Sequence, residues 1–203
     1  MRISLGKRVV FLSNPRCGSG SIRTMLDPWS DIKGAKGGPV HRHACLRSVE
    51  RYLAETGAPP LKEFSIFTTV RNPWARVVSI YHFGLRKPRS IWHAPAVASG
   101  SVAAFAHHEI LDWVFGPNAG HPEGPFDILS FTKTERGENP AAVFDVASME
   151  AVGKHLAERG IEVETKHINR TRHAHYAEYF DARSRDRVSD LFRADIELMG
   201  YVF

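Results

Sequence analysis

The alternation of apolar and polar positions divides the chain into short strand-like runs and amphipathic helices. Arg8-Val-Val-Phe-Leu-Ser13 is β-branched and aromatic and stops at Asn14-Pro15, so it reads as a buried strand. Cys17-Gly-Ser-Gly20 is a small-residue turn, and Ser21 to Leu26 is compatible with a helix that ends before Asp27-Pro28. Residues 27 to 40, rich in Gly, Lys, Asp and Pro, read as a mobile loop leading to a helix over about Ala44 to Glu55. Leu46, Val49 and Leu53 form the apolar stripe of that helix. A second strand, Phe64 to Val70, passes through Arg71-Asn72 into a helix from Pro73 to about Phe83. Asn72 suits the N-cap, and Pro73 suits the first helical position, where its missing N–H would have no partner.

Farther along, residues 84 to 100 and Gly116 to Pro125 read as loops, Val102 to Phe115 as a helix, and Phe126 to Phe131 as a third strand. Ser148 to Arg159 predicts a helix closed by Gly160, Ile161 to Ile168 a fourth strand, and Tyr176 to Met199 one or two helices. Strands alternating with helices predict an α/β fold with a mainly parallel central sheet flanked by helices. With 203 residues, 43% of them hydrophobic, a single domain over 1–203 is expected.

Composition narrows the partners. The longest apolar runs, such as Val9 to Leu12 and Ile66 to Val70, are far shorter than the roughly 20 residues that cross a bilayer, so no stable membrane insertion is expected. No apolar core follows Arg2, Lys7 and Arg8 as it would in a signal peptide. Two cysteines, Cys17 and Cys45, make neither a disulfide framework nor a zinc motif, which fits a reducing, cytoplasmic setting. A formal charge of +5 implies an anionic partner without choosing among nucleotide, glycan and nucleic acid. The eleven histidines, including His41, His43 and the pair His107-His108, lack recognised metal-ligand spacing, and no metal is expected.

Two loops carry candidate chemistry. Asn14-Pro-Arg-Cys-Gly-Ser-Gly-Ser21 lies where a strand delivers the chain into a helix N-terminus, where exposed N–H groups, glycines and the helix dipole favour an anion. Arg16, Ser19 and Ser21 add donors, while the absence of GxxxxGK[ST] disfavours a kinase or NTPase. An ordinary Gly/Ser connection is the plain alternative. The second loop, Thr69-Val-Arg-Asn-Pro-Trp-Ala-Arg-Val-Val-Ser79, sets Arg71 at the carboxyl end of its strand, the edge where open α/β sheets bind ligands. Arg76 and Ser79 lie three apart on one helix face, and an Arg with a nearby hydroxyl suits a phosphate monoester. A solvated arginine at a helix entry is the alternative here.

Together these loops resemble the sulfotransferase superfamily that uses 3′-phosphoadenosine-5′-phosphosulfate (PAPS), most closely the family 2 group of heparan sulfate 2-O-sulfotransferases and small bacterial relatives. The resemblance implies a P-loop-like three-layer fold. It also implies that Arg16, Cys17, Gly18, Ser19, Gly20 and Ser21 cradle the 5′-phosphosulfate and that Arg71 and Ser79 hold the 3′-phosphate. The tail, His167-Ile-Asn169-Arg170, then Tyr179-Phe and the closing Asp195 to Phe203, is similar as well, and carries Asn169 and Arg170 into the nucleotide site. Arg16 stands where the family has lysine, exchanging a compact ammonium for a planar fork. The stretch Ser90 to Lys154 lacks the family's Arg-x-Glu-(Asn/Asp)-Leu pattern, so adenine and acceptor contacts are not carried over from it.

Sulfuryl transfer needs a base for the acceptor hydroxyl, and histidine is suited to that near neutral pH. The resemblance points to His43, just before the helix at Ala44, with His41 as the fallback; Arg16 would stabilise the charge between sulfate and leaving phosphate. The expected reaction moves a sulfuryl group from PAPS to the hydroxyl of a glycan or small molecule, with no role for nucleic acid. Lys87, Trp92, His93 and Trp113 are candidate acceptor contacts. The competing readings are a nucleotide- or glycan-binding protein without catalysis and, farther off, a basic nucleic-acid-binding module.

Overall fold

The computed structural model describes residues 1–163 and 174–203. Along the chain come β1 (Arg2–Ser4), β2 (Val9–Leu12), α1 (Ser19–Leu26), β3 (Ile32–Lys33), α2 (Leu46–Glu55), β4 (Ser65–Val70) and α3 (Pro73–Arg86). Then follow α4 (His93–Ser99), α5 (Val102–Phe105), α6 (Glu109–Phe115), α7 (Ile128–Phe131), β5 (Ala142–Asp145), α8 (Met149–Ala157), α9 (Ala182–Leu191) and α10 (Arg193–Met199). The chain forms two compact units, one from Met1–Val70 and the stretch beginning at Leu129, the other from Arg71–Ile128 and the stretch ending at Phe203.

The first unit is an α/β structure on a five-stranded sheet of order β3-β1-β2-β4-β5. β2, β4 and β5 run parallel, whereas β1 pairs antiparallel with both β2 and β3. The expectation of a mainly parallel sheet is therefore corrected to a mixed one. The cause is local: the four residues between β1 and β2 can only return the chain antiparallel, since a parallel partner needs a crossover of a dozen or more. β2 is buried along its whole length. Val9 and Phe11 pack with Phe67 of β4, Ile22 and Leu26 of α1, and Met149, Val152 and Leu156 of α8. Phe11 and Phe67 are cross-strand partners, their rings 5.0 Å apart.

Several elements differ from the sequence pattern. The run 126–131 is no strand: its last four residues make the turn α7, and the parallel edge strand is Ala142–Asp145. Short apolar runs do not distinguish a buried helix turn from a strand by periodicity alone. The loop over 27–40 contains β3. The helix over 102–115 is broken between α5 and α6, where the His108 side chain accepts the Ile110 N–H and starts a new helix. Within 84–100, α4 packs on α3 through Gly84, whose missing side chain would stand 2.5 Å from the Trp92 carbonyl. Ile161 to Val163 are not a strand, and the rest of that expected strand, with His167, Asn169 and Arg170, lies outside the described residues.

The second unit is helical. Asn72 caps α3 as expected, its side chain accepting the Ala75 N–H at 3.2 Å with Pro73 in the first turn. Among the described residues no helix is long and apolar enough to cross a membrane.

Candidate functional site

The loop after β2 is built as a tight turn. The Cys17 N–H donates to the Asn14 carbonyl, with Pro15 and Arg16 between them. Arg16 has φ 64°, a left-handed conformation usually left to glycine. Proline followed by a positive φ is the signature of a type II turn. The arrangement fixes the Arg16 backbone at the cost of local strain, of the kind that collects at functional sites. Gly18 is left-handed too, at φ 71°, and forms the N-cap of α1. A Cβ there would lie 2.3 Å from Cγ2 of Val146, so any side chain would have to displace Val146 as well as adopt the left-handed angle. α1 begins two residues earlier than the pattern predicts because Gly18 can turn this sharply, and its first N–H groups, at Ser19 and Gly20, have no intrahelical acceptor by helix geometry. No acidic side chain stands in that first turn.

β4 holds this loop in position. Thr68 and Thr69 are fully buried; the Thr68 hydroxyl donates to the Leu12 carbonyl at 2.8 Å and the Thr69 hydroxyl to the Cys17 carbonyl at 2.6 Å. The sequence reading missed both threonines and Val146. Two adjacent β-branched hydroxyl residues in a strand that is otherwise apolar after Ser65 were the one available signal, because a buried hydroxyl needs an acceptor.

His43 is joined to the same strand end. Its Nδ1 lies 2.6 Å from the Ser13 carbonyl, which can only accept, so the ring carries its proton on Nδ1 and the lone pair of neutral imidazole is on Nε2. His41 has the opposite tautomer: its Nδ1 accepts the His43 backbone N–H at 3.2 Å. The two rings therefore differ in tautomer, and the His41 lone pair is engaged with the backbone. Although His43 keeps some exposed surface, most of its surroundings are protein. Burial pushes its pKa down to about 3; the Ser13 carbonyl opposes this and nearby positive charge, Arg23 and His41 included, adds to it. The ring is neutral at pH 7. Ser13 also carries a fully buried hydroxyl with no hydrogen-bond partner among the described residues, a donor in place beside the loop.

Arg71 and Ser79 belong to the second unit. Arg71 is half-buried and immediately follows β4 in the chain; Ser79 is buried on α3. Arg76, grouped with Ser79 in the sequence reading, serves the core instead. It is 1% exposed, donates to the Phe126 carbonyl at 3.3 Å, and lies 4.5 Å from the Phe115 ring and 5.4 Å from that of Phe192. The buried carboxyl of Asp195 is lifted by that burial to about 6, with the charge of Arg76 pulling the other way.

Of the candidate acceptor contacts, Trp92 is buried and stacks on Phe115 at 6.1 Å, and His93 is tied through Nδ1 to the Gly84 carbonyl at 2.9 Å. Trp113 is 40% exposed beside His121, and Lys87 lines an open cleft of about 470 Å³ with Phe83, Pro88, Arg89 and Ser90. Among the described residues no three His, Cys, Asp or Glu side chains are grouped as a metal site.

Neither the known family models nor the curated proteins contain a match to this chain.

Proposed function

We propose that the chain is a PAPS-dependent sulfotransferase acting on a hydroxyl, on a P-loop-like three-layer fold. The observation that carries this reading is the bond from His43 Nδ1 to the Ser13 carbonyl, which brings a neutral histidine of defined tautomer to the first residue before the strained Arg16 loop.

The residues of that loop suit a phosphosulfate. The helix-start N–H groups of Ser19 and Gly20, the hydroxyls of Ser13, Ser19 and Ser21, and the Arg16 guanidinium are all donors, as a multiply charged anion requires. The 3′-phosphate would be taken by Arg71 and Ser79. Bound PAPS supplies an activated sulfuryl group. In the transfer, the bond from sulfur to the phosphate oxygen breaks and a bond from sulfur to the acceptor oxygen forms, while Nε2 of His43 takes the hydroxyl proton. Arg16 balances negative charge that moves from the sulfuryl oxygens to the departing phosphate. A pKa of about 3 makes His43 a weak base in the resting site, so its contribution depends on charge gathered as the acceptor loses its proton.

The test has two parts. Calorimetry should detect 3′-phosphoadenosine-5′-phosphate binding more tightly than ATP or AMP, with Arg71→Ala weakening it at least about tenfold through loss of charged hydrogen bonds. A screen with sulfur-labelled PAPS should then find an acceptor. A protein that binds the bisphosphate and transfers nothing to any acceptor is a nucleotide-binding protein; one that binds no bisphosphate is outside this reading altogether.

A further inference from the structure

The last turn of α3 carries a surface that the transfer scheme leaves unused. Here α3 crosses α4 closely: a Cβ on Gly84 would stand 2.5 Å from the Trp92 carbonyl and 2.9 Å from Cβ of Ala96, and His93 Nδ1 lies 2.9 Å from the Gly84 carbonyl. Three residues of this crossing each have an exposed aliphatic neighbour in the chain. Leu85 stands beside Gly84, Ile91 beside Trp92 and Val97 beside Ala96, at 40%, 51% and 57% exposure. The turn between the helices is held by backbone, the Ser90 N–H donating to the Lys87 carbonyl at 2.8 Å and the His93 N–H to the Ser90 carbonyl at 3.0 Å. Arg86, Lys87 and Arg89 are all exposed there, and Lys87 and Arg89 line the cleft of about 470 Å³ with Phe83, Pro88 and Ser90. None of these three cations forms an ion pair with a described residue. The sequence has no Asp or Glu between Glu63 and Glu109 to supply one locally.

We propose that this end of α3 docks on an anionic lipid surface, with Leu85, Ile91 and Val97 entering the headgroup boundary while Arg86, Lys87 and Arg89 meet lipid phosphates. A bilayer surface answers both halves of the patch, because it sets negative charge at the headgroups directly above an apolar phase. A nucleic acid would answer the charge alone, and Trp92, the indole of this turn, is buried and offers no face for a base to stack on. The docking is peripheral and needs no spanning helix. Arg71 precedes the opposite end of α3, about 20 Å away along the helix, so the residue assigned to the 3′-phosphate is clear of the lipid. The surface does not depend on the sulfotransferase reading.

The probes are vesicles of phosphatidylglycerol and phosphatidylcholine in equal parts, vesicles of phosphatidylcholine alone, a DNA oligonucleotide and polyglutamate. Binding is measured by vesicle sedimentation, and by fluorescence of a polarity-sensitive dye on Ile91→Cys, which takes the label because Cys17 and Cys45 are buried. The expected result is saturable binding to the mixed vesicles, at least about tenfold weaker binding to phosphatidylcholine, and a blue shift of the dye. Arg86→Gln with Arg89→Gln should weaken binding about 25-fold, since each cation near such a surface is worth about fivefold. Ile91→Ser with Val97→Ser should weaken it at least about fivefold through lost apolar burial. Both variants change exposed side chains and should melt with the parent. No binding to the mixed vesicles, equal binding to the two kinds, an unmoved dye, or no loss in either variant overturns the surface. DNA or polyglutamate held more tightly than the mixed vesicles overturns it in favour of a polyanion partner. Affinity for 3′-phosphoadenosine-5′-phosphate should be the same in parent and variants. If the bisphosphate binds and the vesicles do not, the surface alone falls; if the vesicles bind as expected and the bisphosphate does not, the surface stands and the sulfotransferase reading falls.

Discussion

The hydroxyl of Thr69, near the end of β4, donates to the carbonyl of Cys17 at 2.6 Å, so a buried strand residue holds the Arg16 loop in place. Thr69→Val keeps shape and β propensity but leaves the buried Cys17 carbonyl short of this donor. It should cost about 1–3 kcal/mol of stability. Nucleotide affinity should fall as well, and Thr69→Ser should restore both, measured by thermal unfolding and calorimetry. Equal affinity in Thr69→Val and the parent would show that the loop is positioned by other contacts.

Arg16 is held at a backbone angle that costs an L-residue roughly 1–2 kcal/mol. Arg16→Gly should therefore unfold at the same temperature as the parent or higher, while losing affinity for the bisphosphate nucleotide. A clearly less stable Arg16→Gly would mean that the side chain contributes to the fold rather than to a ligand.

Gly18→Ala should disrupt the loop, because the new methyl meets Val146 and the left-handed angle disfavours any side chain. Gly18→Ala with Val146→Ala relieves the steric part alone. The double variant should recover part of the lost stability, leaving about 1–2 kcal/mol from the backbone angle. No recovery at all would contradict the contact.

His43→Ala should reduce turnover by about 10²–10⁴-fold and His41→Ala by less, with bisphosphate affinity nearly intact in both. The pH dependence follows from the tautomer and burial. Below the ordinary value of 6.5 and down to about 3, the unfolded chain takes up a proton on this ring while the folded one does not. Stability from His43 is thus fully present above about 6.5 and is lost as pH falls through that window. His43→Gln should flatten the slope in a pH series of melting temperatures.

Asp195 acts in the other direction. Its folded pKa of about 6 lies above the ordinary carboxylate value near 4, so the folded chain holds the extra proton between the two, and stability falls as pH rises from about 4 to 6. Asp195→Asn should remove that slope. Arg76→Met removes the charge that pulls this pKa down, so the slope should reach to higher pH in the variant; an unmoved slope would show that the two side chains do not interact.

Local chemistry made much of the framework legible. β2, β4, α1, α2 and α3 follow from apolar periodicity, and the Asn72 cap and Pro73 start follow from which residues can satisfy or omit an N–H at a helix start. The Arg16 loop, the two histidines and Arg71 were likewise visible as residue types at element ends. These properties belong to a few neighbouring residues, so sequence alone determined them.

Tertiary structure decided everything that depends on partners far apart in the chain. The antiparallel placement of β1, the use of Ala142–Asp145 rather than the run at 126–131 as the edge strand, and the burial of Arg76 against Phe115 and Phe192 depend on which surfaces meet. The same holds for the tautomers of His41 and His43: the carbonyl of Ser13, thirty residues before His43, holds the proton on one ring while a backbone N–H occupies the lone pair of the other, a difference that only the fold creates.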